Sequence, residues 1–290
     1  MPNSSKELLN KFEAYLQNNL PAVQTFHPSF NTALQVMIKA KAKRFRPILM
    51  LSIVDNLSPL LLKNSFDIAV ALEIFHTYSL IHDDLPSMDD AILRRGIETL
   101  HKTYDDATAI LVGDALNTHT FHLVANSSLS SLTKIDIIKQ LSLDGGINGM
   151  VVGQAIDIYF ENKTLGLDEL KILHLNKTAK LIATSLKIGA IICELGDKTT
   201  NKLYDIGMDI GLLFQIQDDI LDNTLNDQQA LKSTNKDNEK NTFVNLLGLD
   251  GAIDEANKLS DKILSQINNL QPNLQVALKG TLKGYLHRHN

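Results

Sequence analysis

The sequence predicts an all-α protein. Three observations point that way: only seven prolines in 290 residues, few alternating β-branched runs, and long stretches in which apolar residues recur at the helical period of about 3.6. In chain order, helices are expected over roughly 5–20, 29–55, 66–84, 105–125, 132–160, 168–195, 200–222, 242–247, 250–268 and 272–287. Short polar breaks separate them, at Asp55-Asn56 to Asn64-Ser65, Asn126 to Ser131 and Asn162 to Leu167. None resembles an interdomain linker, so residues 1–290 are expected to form a single domain, and no internal repeat of fixed period is visible. One long polar stretch, Asn223 to Asn241, is rich in Asn, Asp, Gln and Lys. A loop of that length in a compact domain is usually functional or disordered, and its place directly behind an acidic cluster favours a mobile flap.

Composition narrows the class. A hydrophobic fraction of 44% suffices for a substantial core, and a net charge of −5 gives no reason to expect nucleic acid or an anionic membrane as partner. The single cysteine, Cys193, rules out an intrachain disulfide and suits a reducing compartment. Met1 to Lys11 is polar and mixed in charge, unlike a secretory signal, and no run approaches the roughly 20 apolar residues of a membrane span. A soluble, cytoplasmic protein is the expectation.

The stretch Phe66–Asp84 is apolar almost all round, yet its polar exceptions are ordered. Glu73, His76, Ser79 and Asp83 follow at spacings of three, three and four, which places them on one helical face. The helix before Asp222 repeats the device with Gly211, Gln215, Asp218 and Asp222, spaced four, three and four. Such carboxylates must meet solvent or a polar cavity, because an unpaired buried charge costs too much. One stripe alone is most simply the wet side of a surface helix. Two stripes, each ending in an aspartate cluster, point to a shared cavity.

Asp218 and Asp222 project from neighbouring turns, with Asp219 flanking. Charges so close repel one another and raise their pKa values. Magnesium removes the conflict, since it takes oxygen ligands from one or two carboxylates and from substrate phosphates. In Asp83-Asp84-Leu85-Pro86-Ser87-Met88-Asp89-Asp90 a continuous helix would not align Asp83 with Asp89. Pro86 opposes continuity, so the helix is expected to end near Asp84 and the next turn to swing Asp89 back. An EF-hand would need Gly where Met88 stands, and a terminal Glu. A paired-carboxylate glycosidase uses two isolated acids. An acidic surface patch would fit either cluster taken alone.

Basic residues accompany the acids: Lys43-Arg44-Phe45-Arg46-Pro47, Arg94-Arg95, Lys177-Thr178, and Lys232 and Lys240 in the polar stretch. Arginine suits bidentate phosphate binding and lysine acts as a compact charge, although a lone lysine is more often solvated surface. Acids for magnesium beside arginine pairs imply a substrate carrying a diphosphate. No P-loop or dinucleotide fingerprint is present, so a nucleotide is not expected.

His82-Asp83-Asp84-Leu85-Pro86-Ser87-Met88-Asp89-Asp90, followed by Leu93-Arg94-Arg95-Gly96, resembles the first aspartate-rich motif of trans-prenyl diphosphate synthases. Phe214-Gln215-Ile216-Gln217-Asp218-Asp219-Ile220-Leu221-Asp222 resembles the second. Lys43 to Pro47, Gly113-Asp114-Ala115-Leu116, Gly153-Gln154-Ala155-Ile156-Asp157 and Lys177-Thr178 match further family blocks in order, and the likeness looks closest to bacterial farnesyl diphosphate synthases. The resemblance implies the isoprenoid-synthase fold, a helical bundle around a central active-site cavity, usually as a homodimer. It implies head-to-tail condensation of isopentenyl diphosphate with dimethylallyl and then geranyl diphosphate to give farnesyl diphosphate. Geranyl or geranylgeranyl diphosphate is the alternative product.

By position, the resemblance implies that Asp83, Asp84, Asp89 and Asp218 hold magnesium on the allylic diphosphate, with Asp219 and Asp222 completing the second cluster. Arg94, Lys177 and Lys232 would complete the cradle. Lys43, Arg46, His76 and Arg95 would hold isopentenyl diphosphate, Gln154 and Lys240 would bind substrate, and Thr178 and Gln215 would lie beside the allylic cation. The resemblance also implies that the departing diphosphate takes the final proton, so no histidine base is required, and His82 and His101 are left to packing or hydrogen bonding. Tyr78, five residues before Asp83 and so about 7.5 Å along the axis, resembles the floor that stops chain growth at fifteen carbons.

Departures from the family pattern are also visible. Lys41-Ala42 stand where Gly-Gly is usual, Leu231-Lys232 replace Gly-Lys, Lys240-Asn241-Thr242-Phe243-Val244 replace a Lys-Ser-Thr-Tyr-Pro-like block, and Ala91-Ile92 replace acidic residues. They bear on substrate affinity and flap closure more than on reaction class. A terpene cyclase would usually carry a different second metal motif. A non-catalytic subunit of a heteromeric synthase would show eroded aspartates, and these are intact.

Overall fold

The computed structural model describes residues 3–224 and 241–288. Among these, regular structure is helical apart from one two-stranded ribbon. Helices α1 (Ser5–Asn18), α2 (Phe30–Lys39), α3 (Phe45–Leu57) and α4 (Phe66–Asp83) lead to strands β1 (Leu93–Arg94) and β2 (Ile97–Glu98). Then come α5 (Leu100–Thr103), α6 (Asp106–Asn126), α7 (Ser131–Gly145), α8 (Met150–Phe160), α9 (Leu167–His174), α10 (Lys180–Ile192), α11 (Asp197–Thr224), α12 (Phe243–Asn268) and α13 (Pro272–Leu282). No helix among the described residues is long and apolar enough to cross a membrane.

Local chemistry starts several of these helices. Ser4 and Glu7 form a reciprocal capping box on α1, and Asp105, Ser130 and Thr242 accept from backbone amides of Thr108, Thr133 and Asn245. Two helices expected to be continuous are divided, and a third runs on through a local distortion. The stretch 29–55 breaks at Ala40–Arg44, where Arg44 has φ 49°, and Pro47 then sits in the first turn of α3, where its missing amide is tolerated. The stretch 132–160 breaks between Gly145 and Met150; a Cβ on Gly149 would lie 1.9 Å from the Asp144 carbonyl oxygen. The stretch 168–195 carries a π-helical turn, Leu175–Ala179, between α9 and α10. The break expected between 242–247 and 250–268 is present inside α12, at Gly248, whose φ of 73° and ψ of 164° are not helical. The strands, two residues each, are too short to leave a period in the sequence.

α3 and α10 form the middle of the molecule, and each is apolar on opposite sides. Ile48, Leu51 and Val54 of α3, with Leu181 and Ile188 of α10, join a core that includes α1, α2, α4 and α6. Phe45, Leu49 and Ile53, with Ile182 and Leu186, join a second core with α9, α11, α12 and α13. At Gly189 α10 approaches α3 so closely that a Cβ would stand 3.1 Å from the Met50 carbonyl oxygen. Burial on both sides explains why these helices lack a polar face.

Candidate active site

Asp83 is the last residue of α4 and Asp84 its cap, the Asp84 amide still donating to Leu80 O at 3.0 Å. Beyond Pro86 the chain turns back. Asp89 N donates to Asp83 O at 2.9 Å and Ala91 N to Asp84 O at 3.2 Å, so Asp83 and Asp89 share one cavity wall, as the proline implied. The β1–β2 turn follows, with positive φ at Arg95 (55°) and Gly96 (78°), the combination that matches the twist of a two-residue hairpin. Arg94, just before that turn, donates Nε to Asp84 Oδ1 at 2.8 Å and Nη2 to the same oxygen.

The cavity these residues border measures about 440 Å³. α11 closes it opposite with Gln215, Asp218 and Asp219, so Asp83 and Asp218 face one shared space. Lys177 and Thr178 come from the π-helical turn, a distortion often found at functional sites. That turn is gripped from two sides: a Cβ on Gly153 of α8 would lie 2.2 Å from Lys177 N, and one on Gly211 of α11 would lie 2.3 Å from Ala179 Cα. Lys177 Nζ bonds Asp157 Oδ2 at 2.5 Å and stands 3.7 Å from Asp83 Oδ1. Thr178 donates to Gln215 Oε1 at 3.3 Å. Arg46 and His76 complete the polar wall.

A second cavity of about 740 Å³ shares Arg46, His76, Leu80, Asp83, Ile158, Lys177 and Thr178 with the first. Away from that shared wall it becomes mostly apolar, with Tyr78, Met88, Met150, Val151, Ala155 and Leu181. Tyr78 is buried and meets Phe75 edge-on at 4.9 Å. The two spaces together suit an amphiphile, with a highly charged head in the first and an apolar tail in the second.

Electrostatics separate the groups by task. Burial pushes the Asp84 carboxyl up to about 6 against the pull of Arg94. Burial, reinforced by Arg46, Arg95, Arg94 and Arg44, holds His76 well below the usual imidazole range, so its ring is neutral at pH 7. Burial lowers Arg46 to about 10, still protonated at neutral pH. For Lys177, burial pulls downward, but Asp83 and Asp157 outweigh it and hold the ammonium above its ordinary value.

Most of the residues expected from sequence meet here, and some do not. Asp83, Asp89, Arg94, Arg46, His76, Lys177, Thr178, Gln215, Asp218 and Asp219 border the polar cavity, while Gln154 and Tyr78 border the apolar one. Gln154 also donates to Asp83 Oδ1. Asp84 borders neither cavity; it is buried beneath Arg94. Arg95 also borders neither, because its guanidinium donates to Glu73, Thr77 Oγ1 and Met37 O. Lys43 is exposed and Asp222 half-buried, both outside the two linings. Lys232, Leu231 and Lys240 lie outside the described residues. Glu73, expected on the cavity stripe, is instead enclosed by Arg44 and Arg95.

Sequence reasoning missed others. Asp157 and Glu161 line the polar cavity, and with Gln154 they repeat the three-four spacing on an apolar helix that marked the other stripes. Asn241 donates to Phe160 O at 2.9 Å and Lys163 O at 2.7 Å and accepts from Leu165 N at 2.8 Å, clasping the end of α8. The departure from the family block at that position therefore supplies a structural clasp. The Lys41-Ala42 departure is accommodated too, since neither residue has positive φ.

Among the described residues no group of three or more His, Cys, Asp or Glu side chains is arranged to hold a metal alone. Magnesium usually takes only one or two protein carboxylates, with phosphate and water oxygens completing its shell. Asp83 with Asp89 on one wall, and Asp218 on the other, fit that requirement.

The polyprenyl synthetase family's sequence profile matches residues 27–279. The chain is 41% identical over 274 residues to farnesyl diphosphate synthase of Micrococcus luteus, covering 92% of this chain and 87% of the relative. It is 35% identical over 272 residues to that of Haemophilus influenzae, covering 91% of each. The fold superposes with a TM-score of 0.92 on a geranyltransferase from Helicobacter pylori, solved in complex with magnesium and isoprenyl diphosphate, at 42% identity over 96% of this chain and 95% of that one.

Proposed function

The chain belongs to the polyprenyl synthetase family; we propose that it condenses isopentenyl diphosphate head-to-tail with dimethylallyl and then geranyl diphosphate, giving farnesyl diphosphate. The observation that carries this reading is the shared wall of the two cavities, where Asp83, Lys177 and Thr178 stand between a polar chamber and an apolar one. An allylic diphosphate placed there has its leaving group among the cations and its hydrocarbon chain beside Tyr78.

Asp83, Asp89 and Asp218 are the residues that would hold magnesium, which when bound neutralises charge on the departing diphosphate. Lys177, kept protonated by Asp83 and Asp157, and Arg94, oriented by Asp84, bind the same group as fixed cations. Such preorganised charges stabilise the leaving group without reorienting at the moment of ionisation. The oxygens of Thr178 and Gln215 lie where positive charge develops on carbon, and Leu80, Phe214 and Ile158 restrict water there. Arg46 and the neutral His76 ring hold the isopentenyl diphosphate, Arg46 as a cation and His76 as a hydrogen-bonding group. Tyr78 sets product length from the bottom of the apolar chamber.

The working unit in this reading is a cytoplasmic homodimer. It is supported by exposed apolar side chains on neighbouring elements, Ile110 and Leu111 on α6, Leu132, Ile135 and Leu143 on α7, and Ile147 after it. The deciding assay incubates purified protein with Mg²⁺, isopentenyl diphosphate and each allylic diphosphate. A linear fifteen-carbon diphosphate is expected. A cyclised hydrocarbon, or no product without a partner chain, would overturn the reading; a twenty-carbon product would keep the reaction and reject the length.

A further inference from the structure

Glu73 on α4 is 2% exposed and borders neither cavity. One of its oxygens, Oε1, accepts Arg44 Nη1 at 2.7 Å and Arg95 Nη2 at 2.8 Å. Both arginines make further bonds to the protein. Arg44 bonds Ile38 O, Ala40 O and Glu13, while Arg95 bonds Met37 O and Thr77 Oγ1. Both arginines have left-handed backbones, with φ of 49° and 55°. Non-glycine residues adopt that region at a cost and keep it where the surroundings hold them there.

Each of these turns aims a neighbour at the cavity. Arg46 follows Arg44 by two residues, Arg94 immediately precedes Arg95, and both Arg46 and Arg94 line the polar chamber. The four arginines also crowd one another, since Arg44, Arg46, Arg94 and Arg95 all act electrostatically on His76. Glu73 is the shared counter-charge of Arg44 and Arg95, while Asp84 holds Arg94, and Glu73 opposes the burial that lowers Arg46.

We propose that Glu73 is a positioning residue for diphosphate binding: by clamping Arg44 and Arg95 it fixes the two turns that aim Arg46 and Arg94 into the cavity, without itself touching substrate. This rests on the diphosphate reading given above. A neutral amide at the same place cannot balance two guanidinium groups, so the turns relax and Arg46 loses its aim.

The test measures steady-state kinetics of Glu73→Gln with each substrate varied separately, alongside thermal denaturation. The KM for isopentenyl diphosphate should rise about tenfold, equivalent to ~1.4 kcal/mol, with a smaller change in kcat. Arg44→Lys should shift the same KM, because an ammonium cannot reach Glu73, Glu13 and the Ile38 and Ala40 carbonyls at once; it serves as the test if Glu73→Gln does not fold. Asp144→Asn is the structural control. Asp144 is equally buried, bonds Gln140, Thr184 and Tyr204, and borders neither cavity. It should lose stability with KM unchanged. A Glu73→Gln or Arg44→Lys protein that behaves like this control, less stable but with wild-type KM for both substrates, overturns the inference. A wild-type protein that condenses no diphosphates overturns the underlying reading and this inference together, and it is recognised before any substitution is made.

Discussion

Arg288, near the end of the chain, donates Nη2 to Asp218 Oδ1 at 2.5 Å, so a carboxylate of the second aspartate cluster already has a cation beside it. The same guanidinium bonds Gln217 Oε1 at 2.9 Å and Phe214 O at 2.8 Å, and lies 4.1 Å over the Phe214 ring. The preceding backbone is anchored where Leu286 O accepts from Ser260 at 2.6 Å and from Gln217 at 3.1 Å. A metal ion on Asp218 must share that carboxylate with Arg288 or displace it. Arg288→Gln should therefore lower the Mg²⁺ concentration needed for half-maximal thermal stabilisation in the presence of inorganic pyrophosphate. It should also lower the melting temperature of the metal-free protein slightly, since the pair is partly exposed. An unchanged Mg²⁺ midpoint would show that Arg288 and the metal do not compete.

Tyr78 lines the apolar cavity from α4, and Phe75 packs against it edge-on and in turn on Phe121 at 6.0 Å. Tyr78→Ala should open the floor and lengthen the product as read by mass spectrometry, with Phe75 limiting how far the chain extends. Because Tyr78 is buried, the same change leaves a void and should reduce stability by about 3 kcal/mol. An unchanged product profile would reject Tyr78 as the floor.

The parts of this site that could be read from sequence are those built by local geometry. Pro86 forces the turn that returns Asp89 to Asp83, and the three-four spacing places Gln215 and Asp218 on one face of α11. What escaped reading depends on distant chain. Glu73 shares a face with His76, yet one turn farther along the helix that face is covered by Arg44 and Arg95 rather than by the cavity. Asp84 is adjacent to Asp83 but points to Arg94 because neighbours on a helix lie about 100° apart. Arg288 meets Asp218 from 70 residues away and leaves no local pattern at all. The helix breaks near Arg44 and Gly149 carry no proline, and they are fixed by folded-state geometry: a left-handed Arg44, and a Gly149 pressed on the Asp144 carbonyl.

His174 should contribute an acid-sensitive step to stability. Its ring is stacked at a tilt on Phe243 with 5.5 Å between centroids, and neither ring nitrogen has a hydrogen-bond partner among the described residues. Burial lowers its pKa to about 4, against a smaller opposing pull from Asp157. Between about 6.5 and 4 the unfolded chain binds a proton at this site and the folded protein does not, so stability falls as pH falls through that window. The gap corresponds to about 3 kcal/mol at most. His174→Phe should flatten this part of the stability profile measured by urea denaturation across pH 4–7, leaving the contribution of His76. A profile as steep as the wild type's would assign the acid sensitivity elsewhere.

Gly153 sets two effects against each other. In the middle of α8, replacing glycine with alanine ordinarily stabilises a helix by about 1 kcal/mol. Here the added Cβ would lie 2.2 Å from Lys177 N, 2.6 Å from Lys177 Cα and 2.8 Å from Asn176 C. All three are backbone atoms of the π-helical turn, so no flexible side chain can yield. Overpacking of this kind typically costs about 1–3 kcal/mol, and the repulsion should win. Gly153→Ala is expected to lower the melting temperature and to shift Lys177 away from Asp83, from which it stands 3.7 Å. Because that shift moves a cation off the leaving group, kcat should fall more than the loss of stability alone accounts for, at temperatures where the variant remains folded. A variant with a higher melting temperature and wild-type kcat would mean that α8 can slide away from the turn, and that the close approach at Gly153 does not position Lys177.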